Sequence, residues 1–234
     1  MSQFTFCTDE DIAVRATADF TAIVPVDQLF ARGTDGTIAG DGWTLSSPSA
    51  NFQTLGLAAG HVVRLTAPKA SFPTPGELLG VASVHPDGSV TLKRRGLDPG
   101  SGFPPGACSG VTFSVSTLMP QIRLASYDLD RRYGVNDLVV GRRSSDLFDP
   151  AELREACVLT VLFKLYLDQS RGTSEPASIA TGRSDVWGSK ARWVKLELDE
   201  LLSRVVVHWR PATDGLGNAP SEAPTTRFSM RVSR

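Results

Sequence analysis

Gly106-Ala107-Cys108-Ser109-Gly110 has the form of a nucleophile elbow, with cysteine where a serine hydrolase carries its serine. An elbow needs a strand before the nucleophile and a helix after it, so that the reactive atom stands on a sharp turn. Here Pro104-Pro105 precede the match and an apolar, strand-like run from Val111 to Val115 follows it. That order suits a loop feeding a strand, and a cytosolic hydrolase using Cys108 is the lesser reading. The chain has three histidines, His61, His85 and His208, and each stands alone, outside HExxH or HxH spacing. Asp9 with Asp11, and Asp128 with Asp130, are acidic pairs that a divalent cation could use. The first pair fits a helix start better, and residues two apart on a helix point away from each other. The glycine-rich stretch Gly96 to Gly106 contains no lysine, so it is not a phosphate loop. These residues predict no enzyme, no metal and no cofactor.

Charge gives the next constraint. Lys and Arg total 24 against 25 Asp and Glu, a net charge of −1, which excludes a polycation wrapping nucleic acid. Basic doublets remain at Arg94-Arg95, Arg131-Arg132 and Arg142-Arg143. They read as solvated surface, or as contacts to a phosphate backbone or a neighbouring subunit. Aromatics do not interleave with them, so base stacking has little support. The three cysteines, Cys7, Cys108 and Cys157, are odd in number and lack CxxC spacing. No disulfide framework or zinc site is expected, and synthesis in a reducing cytoplasm fits. Met1 to Phe6 lacks the basic and apolar regions of a signal peptide. Ala156 to Leu167 is the most apolar stretch, but it is short and carries Lys164, so no membrane span is predicted.

Chemistry of any kind must be positioned by elements, and their signals are mixed. Thr8 can cap a helix whose first turn is Asp9-Glu10-Asp11, with Ile12, Ala16 and Phe20 as its apolar stripe. Val26 to Ala31 reads as a further helical turn before Gly33-Thr34-Asp35-Gly36. From Thr37 to Val115 the period changes to five short strand runs, which suggests a small barrel or sandwich. Those runs start at Trp43, Val62, Leu78, Val90 and Val111, and His85-Pro86-Asp87-Gly88 is a turn between two of them. Thr117 then caps a helix with Ile122, Ala125, Leu129 and Tyr133 on one face and Gly134 past its end. Asp149-Pro150-Ala151-Glu152 opens a helix to about Gln169 that is apolar on most sides. A last helix covers roughly Val186 to Arg204, with Trp187, Ala191, Val194, Leu198 and Leu201 on one face. Val205 to Trp209 reads as a strand. In Thr226 to Arg234, Phe228, Met230 and Val232 alternate with polar residues, a strand pattern.

The predicted fold class is therefore α+β. It comprises a small helical bundle (1–36 and 116–209), an inserted small β-barrel or sandwich module (37–115) and an extended C-terminal arm (210–234).

The order of segments resembles the head-to-tail connector, or adaptor, proteins of tailed bacteriophages with a helical-bundle core. Thr8-Asp9-Glu10-Asp11-Ile12 carries the first part of the likeness. Gln121 to Asp130 looks like the family's second helix, and Glu152 to Leu159 leads into its long buried third helix. Trp187-Gly188-Ser189-Lys190-Ala191-Arg192-Trp193 opens the last. Phe52 to Val63 is similar to a phrase of β modules in phage virion proteins. The resemblance implies a virion structural protein of the neck, assembled in the host cytoplasm. Such proteins form a homo-oligomeric ring of about twelve copies under the portal protein. The ring extends the channel for double-stranded DNA and docks a stopper or tail protein. Another neck protein, a stopper or tail-completion protein, is the alternative.

Two features fit assembly. A helix as apolar as Ala156 to Leu167 looks too buried for a small bundle unless neighbours cover it. Leu159, Phe163, Tyr166, Trp187 and Trp193 are accordingly candidates for the subunit interface. The terminal strand pattern could add to a sheet edge on the portal or an adjacent subunit through Arg227, Phe228, Met230, Val232 and Arg234. Balanced charge suits a channel that lets DNA pass, since a basic bore would hold phosphates. Deleting Thr225 to Arg234 is expected to leave a folded protein that no longer joins heads. Head-joining by the truncated protein at the full-length rate, measured in an assembly reaction, would remove the arm from the docking scheme.

Overall fold

Six strands close into an antiparallel barrel in a computed structural model of the chain, which describes residues 4–68, 76–135, 143–172 and 185–209. The strands are β1 (Leu29–Ile38), β2 (Thr44–Ser46), β3 (Val62–Ala67), β4 (Glu77–Val84), β5 (Val90–Lys93) and β6 (Cys108–Ser116). Around the barrel their order is β1-β2-β5-β4-β3-β6, and β1 pairs with β6 to close it. The α-helices among the described residues are α1 (Asp9–Arg15), α2 (Phe20–Ile23), α3 (Met119–Tyr133), α4 (Ala151–Gly172) and α5 (Val186–Arg204).

The barrel's core follows the period of two along its strands. Val63 and Leu65, Leu79 and Val81, Val90 and Leu92, and Val111, Phe113 and Val115 all point inward and are buried. Phe52 enters from the β2–β3 connection and meets Phe113 edge-on, with ring centroids 5.4 Å apart. Asx-type turns set two of the corners. Asp41 accepts from the Trp43 and Thr44 amides at 2.9 and 3.0 Å, and Asp87 from the Ser89 amide at 2.9 Å. The Thr44 and Ser89 hydroxyls, then these amides, hold the two carboxyls below the usual carboxylate range.

The architecture corrects the expected fold class. The β part is a closed barrel at the centre of the molecule, not a small module inserted into a helical bundle. It starts at Leu29, inside the segment that reads as a helical turn and a glycine loop. β1 carries Gly33 and Gly36, and its register against β6 is broken by bulges, so no alternation betrays it. Gly33 is required by packing: a Cβ there would stand 2.7 Å from the Phe113 ring. Val205–Trp209 is not a ladder strand. Trp209 makes one isolated bridge with Leu147, and the Phe148 amide donates to the His208 carbonyl at 2.9 Å.

Helix signals hold more closely. Thr8 caps α1 in a reciprocal capping box with Asp11. Gly134, in the left-handed region at φ 69°, ends α3. The Asp149 carboxylate accepts from the Ala151 amide at 2.9 Å where α4 begins. The helices pack on the outside of the barrel, where Val62 and Leu78 join the helical core. The 210–234 arm, with Arg227, Phe228, Met230, Val232 and Arg234, lies outside the described residues, as does Arg142.

Gly33→Val is expected to cost roughly 1–3 kcal/mol by driving a side chain into the Phe113 ring. Urea unfolding monitored by far-UV circular dichroism reads this. An unchanged midpoint would mean that β1 does not lie against Phe113.

Candidate assembly surface

Helix α1 is the hinge between barrel and helices, and its first turn does more than cap. Asp9 is buried, 1% exposed. Its Oδ1 accepts from the Leu118 amide at 2.7 Å and its Oδ2 from the Thr117 hydroxyl at 2.8 Å. Those partners sit where β6 runs into α3. His61 Nε2 lies 3.9 Å from the same carboxylate. His61 Nδ1 lies 3.0 Å from both the amide nitrogen and the carbonyl oxygen of Ala58, which holds the ring with Nε2 facing Asp9. Burial raises the Asp9 carboxyl above its ordinary value of 3.8, opposed by the Leu118 amide, His61 and Thr117.

Glu10 faces the other side of the barrel. Its Oε1 accepts from the Gly96 amide at 2.9 Å and pairs with Lys93 at 3.0 Å. Arg95 locks the same seam. Its Nε donates to the Leu78 carbonyl at 2.9 Å, and its Nη1 donates to Thr17 Oγ1 at 3.0 Å and to the Ala13 carbonyl. Arg94 pairs with Glu77 and donates to the Phe103 carbonyl at 2.6 Å. The Arg94-Arg95 doublet is therefore neither solvated surface nor a free phosphate contact; it holds the chain to itself. A cleft of about 490 Å³ between α1 and the barrel has these same arginines in its wall.

Across the helical layer, Arg15 of α1 pairs with Glu155 of α4 at 3.7 Å and with Glu197 of α5. Asp19, just before α2, accepts from Tyr166 Oη at 2.8 Å and pairs with Lys190 at 2.6 Å. Burial, then Asp19, pushes the Tyr166 phenol up, so it stays a donor. Tyr166 stacks on Trp187 at 5.7 Å between centroids, with the Lys190 ammonium 5.1 Å from the Trp187 ring centre.

These contacts place the five candidate interface residues. Leu159 is fully buried and Tyr166 is 5% exposed, both in the chain's own helical core. Trp187 and Phe163 are partly buried against that core. Trp193 alone of the five stands out into solvent, 72% exposed. Leu196, one turn on, is 70% exposed and shares its outward stripe on α5. Leu124 and Tyr127 form a second such pair on the outer face of α3, at 54% and 50% exposure. Sequence reading passed over Leu196, Leu124 and Tyr127 because it followed the buried faces. Their signal was apolar spacing of three residues opposite those faces.

The residues that could carry chemistry are dispersed. Cys108 begins β6 and pairs with Ile38 in the ladder, without the strand before it or the helix after it that an elbow requires. His85 Nε2 lies 2.7 Å from Thr91 Oγ1, tying the β4–β5 turn to β5. Asp128 pairs with Lys164 of α4 at 2.9 Å. Among the described residues no three His, Cys, Asp or Glu side chains group as metal ligands, and no helix is long and apolar enough to cross a membrane. No family model, curated protein or solved structure matches the chain.

Asp9→Ala would strand the Leu118 amide and the Thr117 hydroxyl, at a cost of about 2–4 kcal/mol. Asp9→Asn keeps an acceptor for the amide and a donor for the hydroxyl, and is expected to cost far less. The sign with pH follows from the raised carboxyl: the folded state holds the proton more tightly than the unfolded chain. The stability due to Asp9 is full below 3.8 and falls as pH rises through the raised value. Denaturation midpoints of wild type and Asp9→Asn across pH 4–8 should diverge in that direction. Parallel profiles would remove Asp9 as the titrating group of the seam.

Proposed function

We propose that the chain is a structural protein of the neck of tailed bacteriophages. It acts as an adaptor that forms a ring beneath the portal, continues the DNA channel and docks a stopper or tail protein. One structural observation carries the reading. Two separate apolar pairs, Trp193 with Leu196 and Leu124 with Tyr127, stand exposed on the outer faces of α5 and α3. Contiguous exposed apolar surface on a helix face is characteristic of a protein that meets another protein. Two different faces on one chain suit a head-to-tail contact, which closes into a ring when the rotation per subunit allows it. The resemblance of the segments opening α1, α3, α4 and α5 to connector proteins supplies the class of assembly.

Phe103 is a separate exposed aromatic on the barrel. It is 87% exposed on the long β5–β6 loop, whose backbone is fastened by Arg94 at the Phe103 carbonyl and by Lys93 at the Leu97 carbonyl. A fastened loop presents an aromatic at lower entropic cost than a loose one.

The test is electron microscopy of particles carrying the protein, followed by the double variant Trp193→Ala, Leu196→Ala. A ring between portal and tail is expected for wild type. The variant, altered only on an exposed face, should keep its melting temperature within a few degrees and lose the ring. A protein absent from the neck, or found there as single copies, overturns the adaptor reading. A ring farther from the portal assigns the chain as a stopper.

A further inference from the structure

Cys7 and Cys157 are separated by 150 residues of sequence, yet their sulfurs lie 3.1 Å apart in the helical core. Both are buried, at 2% and 0% exposure, and neither is bonded to another cysteine. The contact is closer than two apolar sulfurs would pack, which is the geometry of one thiol donating to the other. Ser126 Oγ lies 3.5 Å from Cys157 Sγ and accepts from the Phe6 amide at 3.0 Å. Cys7 belongs to the extended segment ahead of α1, and Cys157 to the second turn of α4. We infer that Cys7 and Cys157 are a disulfide-forming site, oxidised by a low-molecular-weight disulfide and closing the N-terminal segment onto α4.

The chemistry is thiol–disulfide exchange. Phe4 to Thr8 lies in neither a helix nor a strand, and Phe6 is fastened through its amide to a side chain. Such a segment opens more readily than a ladder strand and brings Cys7 to solvent. The Cys7 thiolate attacks one sulfur of the oxidant RSSR, forming a mixed disulfide and releasing one RSH. The Cys157 thiolate then attacks the Cys7 sulfur and releases the second RSH. Two protein S–H bonds and the oxidant's S–S bond are lost; one protein S–S bond and two S–H bonds of RSH are gained. In the closed state the hydrogen bond between the two thiols, then burial, raises Cys7, and the same bond lowers Cys157. Cys7 therefore ionises and attacks once its segment has opened, and Cys157, held in α4, resolves the mixed disulfide because it stays inside the core. Cys108, half-buried at the start of β6, lies outside this pair and serves as the internal comparison.

The inference stands independently of the neck assignment, because it needs only this chain and an oxidant. The experiment incubates folded full-length protein with oxidised glutathione, blocks free thiols in denaturant and maps peptides by mass spectrometry. A peptide linking Cys7 to Cys157, with the mass of two hydrogens lost, is expected. The melting temperature should rise by about 5–10 °C, since the bond closes a long loop, and fall back on reduction. Cys108→Ser should leave the link intact, and Cys7→Ser should abolish it. If wild-type Cys7 and Cys157 both remain alkylatable, or only glutathione adducts form, the inference is overturned. That wild-type result decides the matter even if Cys7→Ser does not fold.

Discussion

Two adjacent carboxylates on α1 hold the barrel and the helices together. Asp9 reaches the strand-to-helix junction after β6, and Glu10 reaches the loop after β5. Removing a carboxylate from water is costly unless its oxygens find donors. Asp9 meets that condition with a backbone amide and a hydroxyl on its two oxygens, and with His61 nearby. Glu10 meets it with an amide and the Lys93 ammonium. Because each donor is fixed on the barrel or at the junction after β6, α1 has one orientation in which both acids are satisfied. Arg95 then closes the seam from the barrel side by donating to α1's own carbonyl at Ala13. Hydrophobic contact alone would let a short helix slide; the paired acids fix its register.

With α1 fixed, α4 has a surface to bury against on several sides. Its apolar residues are covered by α1, α2, α3 and α5. Such an apolar helix therefore needs no neighbouring subunit to cover it, because four helices of its own chain already do so. The weight of the assembly reading moves from α4 to the outward stripes of α3 and α5. Those residues are solvent-facing among the described residues, and they are the ones a second molecule could cover.

Elements whose signal is local were legible. Thr8 with Asp11, Gly134 and Asp149-Pro150 each mark a helix end through a hydrogen bond within a few residues. The inward runs of β3, β5 and β6 alternate visibly. β1 was not legible, since its glycines, bulges and exposed residues hide a strand that is defined by its pairing with β6 and β2. Closure of the barrel is a non-local event and leaves no mark at one place in the chain. The roles of Asp9 and Glu10 were hidden for the same reason. A carboxylate in the first turn of a helix has a sufficient local explanation in the dipole, and the long-range partners become visible only once the barrel is present.

The same non-local pairing changes what the balanced charge means. Arg15, Lys93, Arg94, Lys164 and Lys190 each face a carboxylate of this chain. Arg95 donates to carbonyls and Thr17. Cations neutralised in this way contribute little to a field that draws phosphates from solution. Salt-dependent grip on DNA needs cations that shed counterions on contact, and an arginine already paired has few to shed. Part of the balanced charge thus consists of internal pairs that shape the fold.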